Sequence, residues 1–199
     1  AGYVAKKMGL PINKLIIATN KNDILKRVVE TGCYKPSEVK HTISPSMDIQ
    51  VASNFERLIF DIVACDSKKT LKLMNDLNES GEFKLAKEEL QKIRDSFLSE
   101  SLSEEMTKSV ISEMYKNYGA LVDPHTAVGI GVTKKISPEE NTVILSTAHP
   151  SKFPDVVMEA TSIKPELPEN LKSILVKKEK YDRLPKDFEK VKKYIRERK

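Results

Sequence analysis

Side chains that could do chemistry are concentrated just after one apolar run in the last third of the sequence. The run Val143-Ile144-Leu145 is typical of a buried strand, and the loop that follows it carries Ser146, Thr147 and His149. In open α/β sheets, ligands bind just beyond the carboxyl ends of the strands. The pattern therefore predicts a polar site at this strand end, although an ordinary strand followed by a turn fits the same residues.

Several familiar catalytic patterns are missing from the sequence. It contains no GxGxxG, no GxxxxGK[ST], no HExxH and no CxxC motif. Ser146 and His149 could be joined by a distant aspartate in a triad, but no nucleophile elbow surrounds the serine. The three histidines, at positions 41, 125 and 149, are not paired at ligand spacing, so no metal site is expected.

A second polar segment covers residues 40–52, which contain hydroxyl groups, a proline and the acid Asp48 without a regular period. Pro45 keeps Ser44 extended. Two interpretations remain open for this segment. It is either a crossover loop that leads to the next helix or a polar loop that lines a site, since loops on a rigid scaffold carry much function.

The spacing of apolar residues predicts which elements position these loops. Leu15 to Thr19 is an apolar, β-branched run that is typical of a buried strand. Apolar residues elsewhere recur at helical spacing and predict helices at about 1–8, 24–31, 53–63, 67–79, 83–97, 101–118, from 123, at 153–160 and from 186. Helix, strand and helix in close succession indicate a parallel α/β layer, here with few strands and many helices.

Helix ends are marked by capping residues. Ser53 and Ser101 each precede a glutamate by three residues, which is a capping-box pattern. Asp123 and Pro124 suit the first turn of a further helix, in which we expect His125 to be structural or solvent-facing.

The composition, 39% hydrophobic and 32% charged over 199 residues, is that of a soluble globular protein with one domain or slightly more. No apolar run reaches the ~20 residues of a membrane span. The net charge of +5 comes largely from the C-terminal part, where acids alternate with the bases, so a solvated helix face is favoured over nucleic-acid binding. Cys33 and Cys65 lack metal-ligand spacing and are expected to be buried free thiols in a reducing cytosol.

The beginning of the sequence looks like the body of a helix. Residues 1–8 have no N-cap before them, and Gly9 can take the left-handed conformation that ends a helix. We therefore expect the chain to be part of a larger one.

Four motifs, in order, resemble the threonine synthase family of bacterial and fungal type. They are Gly2 to Pro11 with Leu15 to Asp23, Ser44 to Gln50 with Ser53 to Leu58, Asp123 to Gly129, and Ser146 to Phe153. Together the motifs span residues 2–153, and the segment after Phe153 is less distinctive.

The resemblance implies part of a tryptophan-synthase-β-like fold, that of the type II pyridoxal-phosphate (PLP) enzymes. It implies conversion of O-phospho-L-homoserine and water to L-threonine and phosphate by γ-elimination and β-addition. In that family a lysine in the N-terminal half holds the cofactor as a Schiff base, and a Gly/Asn-rich loop holds the cofactor phosphate. Neither lies in this sequence, so it resembles only the C-terminal part and carries no catalytic lysine.

The resemblance also suggests roles for individual residues. Thr147 is expected to face the pyridine nitrogen of the cofactor, with its neighbour Ser146 as the alternative. The residues expected on the substrate side are Ser46, Asp48, Asn54, Asn20 and His149, the last as a residue that orients its loop.

The expected organisation is a single stretch, residues 1–199, of the C-terminal part of the large PLP domain. It contains a helical insertion at about 66–119 and a helical tail at about 154–199. The expected partners are the phosphohomoserine substrate and the N-terminal remainder of the enzyme, in the cytoplasm, with neither nucleic acid nor membrane. The isolated chain is expected to be inactive. Another type II PLP lyase, or a non-catalytic basic interaction module, remains the alternative.

Overall fold

The structure, a computed structural model, describes residues 1–136 and 141–198 and divides into two compact units, Ala1–Pro165 and Glu166–Lys199. Four short strands and nine helices run through these residues. In chain order they are α1 (Gly2–Lys7), β1 (Leu15–Thr19), α2 (Ile24–Thr31), β2 (Cys33–Tyr34), α3 (Phe55–Ile62), α4 (Ser67–Ser80), β3 (Phe83–Lys84), α5 (Lys87–Ser96), β4 (Phe97–Ser101), α6 (Glu104–Tyr118), α7 (Pro124–Ile136), α8 (Pro154–Thr161) and α9 (Phe188–Glu197).

Strands β1 and β4 form a parallel pair, in which Leu15 lies opposite Phe97 and Thr19 opposite Ser101. Helices α2 to α5 lie in the crossover between them, as a parallel pair requires. A separate antiparallel pair joins β2 and β3. The predicted α/β class with few parallel strands and many helices is therefore confirmed.

An apolar core lies against each face of β1. Leu15 and Ile17 pack against a cluster drawn mainly from α2 and α3, whereas Ile16 and Ala18 pack against a cluster drawn mainly from α6 and α7. Successive side chains of a strand point to opposite faces, so one five-residue strand joins both cores. This arrangement explains why the sequence of β1 is apolar at consecutive positions instead of alternating.

Helix α7 is buried on most of its surface. Its buried residues are Pro124, His125, Thr126, Ala127, Val128, Ile130, Gly131 and Val132. A Cβ atom at Gly131 would lie 2.4 Å from Leu102 Cδ2 and 3.1 Å from Val110 Cγ2, so a larger residue there would displace these buried side chains where α7 packs against α6.

The structure corrects the predicted strand at residues 142–147. This segment has no regular secondary structure, and Val143 and Leu145 are 89% and 67% exposed. Within residues 1–136 and 141–198, no strand pairs with it, and a strand needs a neighbouring strand to complete its ladder of backbone hydrogen bonds.

Three smaller predictions were also wrong. Phe83 and Phe97 are spaced as in a helix, but each begins a strand, because pairing with another strand overrides local spacing. Helix α6 is capped by Ser103 and not by Ser101, and the Ser53 capping box does not form, since the N-cap of α3 is Asn54. Both thiols are free, but the predicted burial is wrong, since Cys65 is exposed and Cys33 is partly exposed.

The second unit contains a 3-10 helix at Glu169–Val176 and helix α9. The insertion at about 66–119 and the tail at about 154–199 stay predictions. No helix in the described part of the chain is long and apolar enough to cross a membrane.

We expect Gly131→Ala to lower the free energy of unfolding by about 1–3 kcal/mol, because the added methyl group overpacks the contact between α6 and α7. Urea unfolding of the variant measures the change. Gly129→Ala on the same helix is the matched control. Among the residues that the structure describes, its Cβ would meet Ile144 Cγ2, at 3.3 Å, in the irregular segment, so it should change stability by less than about 1 kcal/mol. Equal losses for both variants would contradict the role assigned to Gly131.

Candidate functional site

A buried amide group lies directly after the carboxyl end of β1. The Asn20 side chain is 2% exposed, and its Nδ2 donates hydrogen bonds of 2.8 Å to both Thr42 Oγ1 and Asp48 Oδ1. Its Oδ1 accepts a 2.8 Å hydrogen bond from the Asn22 backbone N–H. Asn20 therefore ties the end of the strand to the polar segment at residues 40–52.

The Asp48 carboxylate is the main acceptor in that segment. Its Oδ1 accepts from Asn20, from Asn22 Nδ2 at 3.0 Å and from the Thr42 hydroxyl at 2.6 Å, while Oδ2 accepts the Thr42 backbone N–H at 2.9 Å. Four donors occupy most of the lone-pair positions of a carboxylate. In this structure the Asp48 carboxylate mainly holds its own loop, residues 40–52, against the end of β1.

Glu104, at the start of α6, anchors the same loop from the other side. Its Oε1 accepts the Ile43 backbone N–H at 2.9 Å, and its Oε2 pairs with Lys21 Nζ at 2.7 Å. The hydrogen bond from Lys21 is the main cause that holds the pKa of the Glu104 carboxyl below its usual value, and the Ile43 bond acts in the same direction.

A second set of polar residues lies at the start of α7. The Asp123 carboxylate is fully buried and accepts hydrogen bonds from His125 Nδ1 at 2.9 Å and from the Thr126 hydroxyl. The His125 ring also packs against the Phe153 ring, with their centres 4.7 Å apart. Of the two predicted alternatives for His125, the structural one is therefore correct and the solvent-facing one is not.

These residues at the start of α7 contact both predicted loops. The Ser46 backbone N–H donates to His125 Nε2 at 3.1 Å, and the Thr147 backbone N–H donates to Thr126 Oγ1 at 3.2 Å. Hydrogen bonds through His125, Asp123 and Thr126 therefore connect Ser46 with Thr147, and Asn20 and Asp48 hold the loop that carries Ser46.

The other predicted site residues lie outside this network. Ser146 is exposed, and within the described ranges no hydrogen bond is formed by its side chain. His149 is exposed, and its Nδ1 lies 2.7 Å from Ser151 Oγ in its own turn. Asn54 is exposed at the N-cap of α3, with no capping hydrogen bond from its side chain.

Sequence reasoning missed several residues that build the network. Asn22, Thr42 and Ser44 join the Asn20 cluster, while Asp123 and Thr126 were interpreted only as parts of a helix start. The sequence contains one signal for these residues. Short polar side chains are concentrated after β1 and at the start of α7, and such a concentration fits a buried hydrogen-bonded network.

The arrangement offers hydrogen-bonding groups more than strong acids or bases. Thr147 is exposed, and no residue of 1–136 or 141–198 forms a hydrogen bond with its hydroxyl, which leaves that group available to a bound molecule. The described residues contain no group of three or more histidine, cysteine or acidic side chains placed to hold a metal ion.

Comparison with protein families and comparison with individual proteins both find threonine synthases. Residues 126–195 match the family described as "Threonine synthase, C-terminal". The threonine synthase of Pseudomonas aeruginosa is 38% identical over 98% of this chain, and that of Saccharomyces cerevisiae is 40% identical over 99%. The chain covers 42% and 44% of those two relatives, so it spans less than half of their length.

A solved structure agrees with the sequence relatives. The crystal structure of PLP-bound threonine synthase from Brucella melitensis superposes with a TM-score of 0.87 at 42% identity, covering 98% of this chain and 42% of that one. The likeness confirms the predicted fold, which is part of the tryptophan-synthase-β-like fold of type II PLP enzymes.

We expect Glu104→Gln to lower the free energy of unfolding at pH 7 by about 1 kcal/mol, because the ion pair with Lys21 is lost. An acid whose pKa is lowered by folding stabilises the protein above its unfolded pKa of about 4.3, and the effect disappears as the pH falls through the folded value. The difference between the variant and the parent should therefore shrink below about pH 4.3.

Urea unfolding at pH 7 and at acid pH measures this difference. Glu113→Gln is the matched control, since Glu113 forms an exposed ion pair with Lys134 and such pairs contribute about 0–1 kcal/mol. A difference for Glu104→Gln that stays constant across the pH range would contradict the assignment.

Proposed function

By sequence and by fold, this chain corresponds to the C-terminal part of the threonine synthase family, and we propose that it performs its function within such an enzyme. The enzyme converts O-phospho-L-homoserine and water to L-threonine and phosphate with PLP as cofactor. The observation that carries this proposal is the likeness of nearly the whole chain to the PLP-bound structure from Brucella melitensis. The N-terminal remainder of the enzyme is the proposed partner, and the cytoplasm is the proposed location.

One hydrogen-bonding side chain of the chain, Thr147, fits the pyridine nitrogen of the cofactor. Thr147 has a side-chain hydroxyl that is exposed, while its backbone is held in place by Thr126. A hydroxyl can face a pyridine nitrogen as a neutral hydrogen-bonding group. When bound, PLP supplies the electron sink for the elimination and replacement steps.

We assign Thr147 to the ring-nitrogen side of the cofactor, with Ser146 as the alternative. A threonine hydroxyl has no charge at neutral pH, so Thr147 does not hold a proton on the ring nitrogen as a carboxylate would. The contribution of Thr147 is then to orient the ring and to moderate its electron withdrawal.

The remaining residues act on the substrate side. Ser46 and Asn54 have exposed polar side chains that can bind substrate, whereas Asn20 and Asp48 fix the loop that carries Ser46. His149 orients the following loop through its contact with Ser151. Asn20, Asp48 and His149 thus act as positioning residues in this proposal.

The full-length protein should release phosphate from O-phospho-L-homoserine and form threonine, and both activities should depend on added PLP. The isolated chain of residues 1–199 should do neither, because the lysine that binds the cofactor covalently is proposed to lie in the N-terminal remainder. Borohydride reduction followed by peptide mapping tests the second point. A reduced cofactor attached to a lysine within residues 1–199 would contradict it, and a PLP-dependent reaction on another substrate would favour a different type II lyase.

Thr147→Val should weaken PLP binding and change the absorbance of the bound cofactor, because the hydroxyl opposite the ring nitrogen is lost. Thr147→Ser keeps the hydroxyl and should retain the parent spectrum. Cofactor titration followed by absorbance measures both variants, and the lost hydrogen bond predicts a roughly 2- to 10-fold weaker affinity. Ser146→Ala is the matched control and should bind as the parent does. A loss for Ser146→Ala but not for Thr147→Val would transfer the role to Ser146.

A further inference from the structure

Asp123 is a buried acid without a lysine or arginine partner among the residues that the structure describes. Its side chain has no exposed surface, and its described contacts are with N–H and O–H donors. The backbone N–H of His125 donates at 2.9 Å, and that of Thr126 donates at 3.3 Å to Oδ2. A buried carboxylate is costly unless it is fully hydrogen-bonded, and the N-terminal end of α7 also favours its negative charge.

The first oxygen of Asp123 fixes the tautomer of His125. Because Oδ1 lies 2.9 Å from Nδ1 and can only accept, Nδ1 carries the ring proton. In the neutral ring Nε2 is then an acceptor, which matches the Ser46 backbone N–H that points at it from 3.1 Å. The opposite tautomer would place two N–H groups against each other.

The second oxygen of Asp123 fixes the hydroxyl of Thr126 in the same way. A threonine hydroxyl has one proton, and the proton of Thr126 is donated to Asp123 Oδ2. Only lone pairs remain on the Thr126 oxygen, and they accept the Thr147 backbone N–H at 3.2 Å.

We propose that Asp123 is a positioning residue that couples the loop at Ser46 to the loop at Thr147. It does so by turning His125 and Thr126 into two acceptors, each of which holds one backbone N–H of one loop. The meaning of this coupling for catalysis depends on the proposed function, since Ser46 and Thr147 are placed on the substrate and cofactor sides only there.

Helix capping alone does not account for this arrangement. An asparagine or serine would also accept the free N–H groups at the start of a helix. Only a carboxylate has two oxygens that accept at once, one from the imidazole N–H and one from the threonine hydroxyl. The amide of Asp123→Asn would donate on one side and disturb at least one of the two acceptors.

Amide hydrogen exchange resolved to single residues tests the proposal in the full-length protein, without cofactor or substrate. Thr126→Val should raise exchange at the Thr147 amide and leave the Ser46 amide unchanged. His125→Phe keeps an aromatic ring against Phe153 and should raise exchange at Ser46 alone. Asp123→Asn should raise exchange at one or both of these amides, because its amide keeps only one accepting oxygen. The loss of one hydrogen bond predicts increases of roughly 2- to 10-fold.

Two further variants separate positioning from a general loss of structure. Thr126→Ser keeps the hydroxyl and should restore the parent exchange at Thr147. Thr133→Val removes a hydroxyl whose hydrogen bond within the described part of the chain is to Gly129 O of the same helix, so it should change exchange at neither amide. Failure of Thr126→Ser to restore exchange, or an effect of Thr133→Val on either loop, would overturn the proposal.

Should Asp123→Asn fail to fold, the His125 and Thr126 variants decide the matter by their selectivity. An equal fold-increase in exchange at both amides in either variant would overturn the proposal that each loop is held by its own acceptor. Because the exchange is measured without PLP, a protein that lacks threonine synthase activity but shows the selective pattern would refute the proposed function and keep this inference.

Discussion

The parallel pairing of β1 with β4 is the constraint on which the rest of the first unit depends. It gives β1 an apolar core on each face and fixes where the strand ends. Asn20 follows at once and is buried by the same packing. A polar side chain at that position must be hydrogen-bonded, so the segment at residues 40–52 folds back over the strand end to supply the acceptors.

Buried polar groups then determine the geometry of the candidate site. The Asp123 carboxylate is fully buried and the Asp48 carboxylate is partly buried, and both accept hydrogen bonds from short polar neighbours. Networks of this kind hold loops in one arrangement, because each polar group in the network loses a hydrogen-bond partner if a neighbour moves. The loops that carry Ser46 and Thr147 are therefore positioned by the protein itself, before any ligand binds.

Local patterns were informative wherever the chain follows its own propensity. The strand Leu15–Thr19 and the helices that end at Gly32, Gly81 and Gly119 agree with the prediction, because apolar spacing and a left-handed glycine are local signals. They failed at Phe97, where pairing with β1 overrides helical spacing, and at Val143, where an apolar run lies exposed. The assignments of Thr147, Ser46 and the other site residues came from the resemblance, not from local physics.

Motifs and periodicities within a few residues of each other predict the resemblance to the threonine synthase family, the class of fold and most of the helices. The three-dimensional packing is needed to show that β4 is a strand, that His125 is buried, and that Asp123 reaches two loops through His125 and Thr126. The hydrogen bond from Ser46 to His125 joins residues 79 positions apart. No spacing within one segment encodes such a contact, because it exists only after both cores have packed around β1.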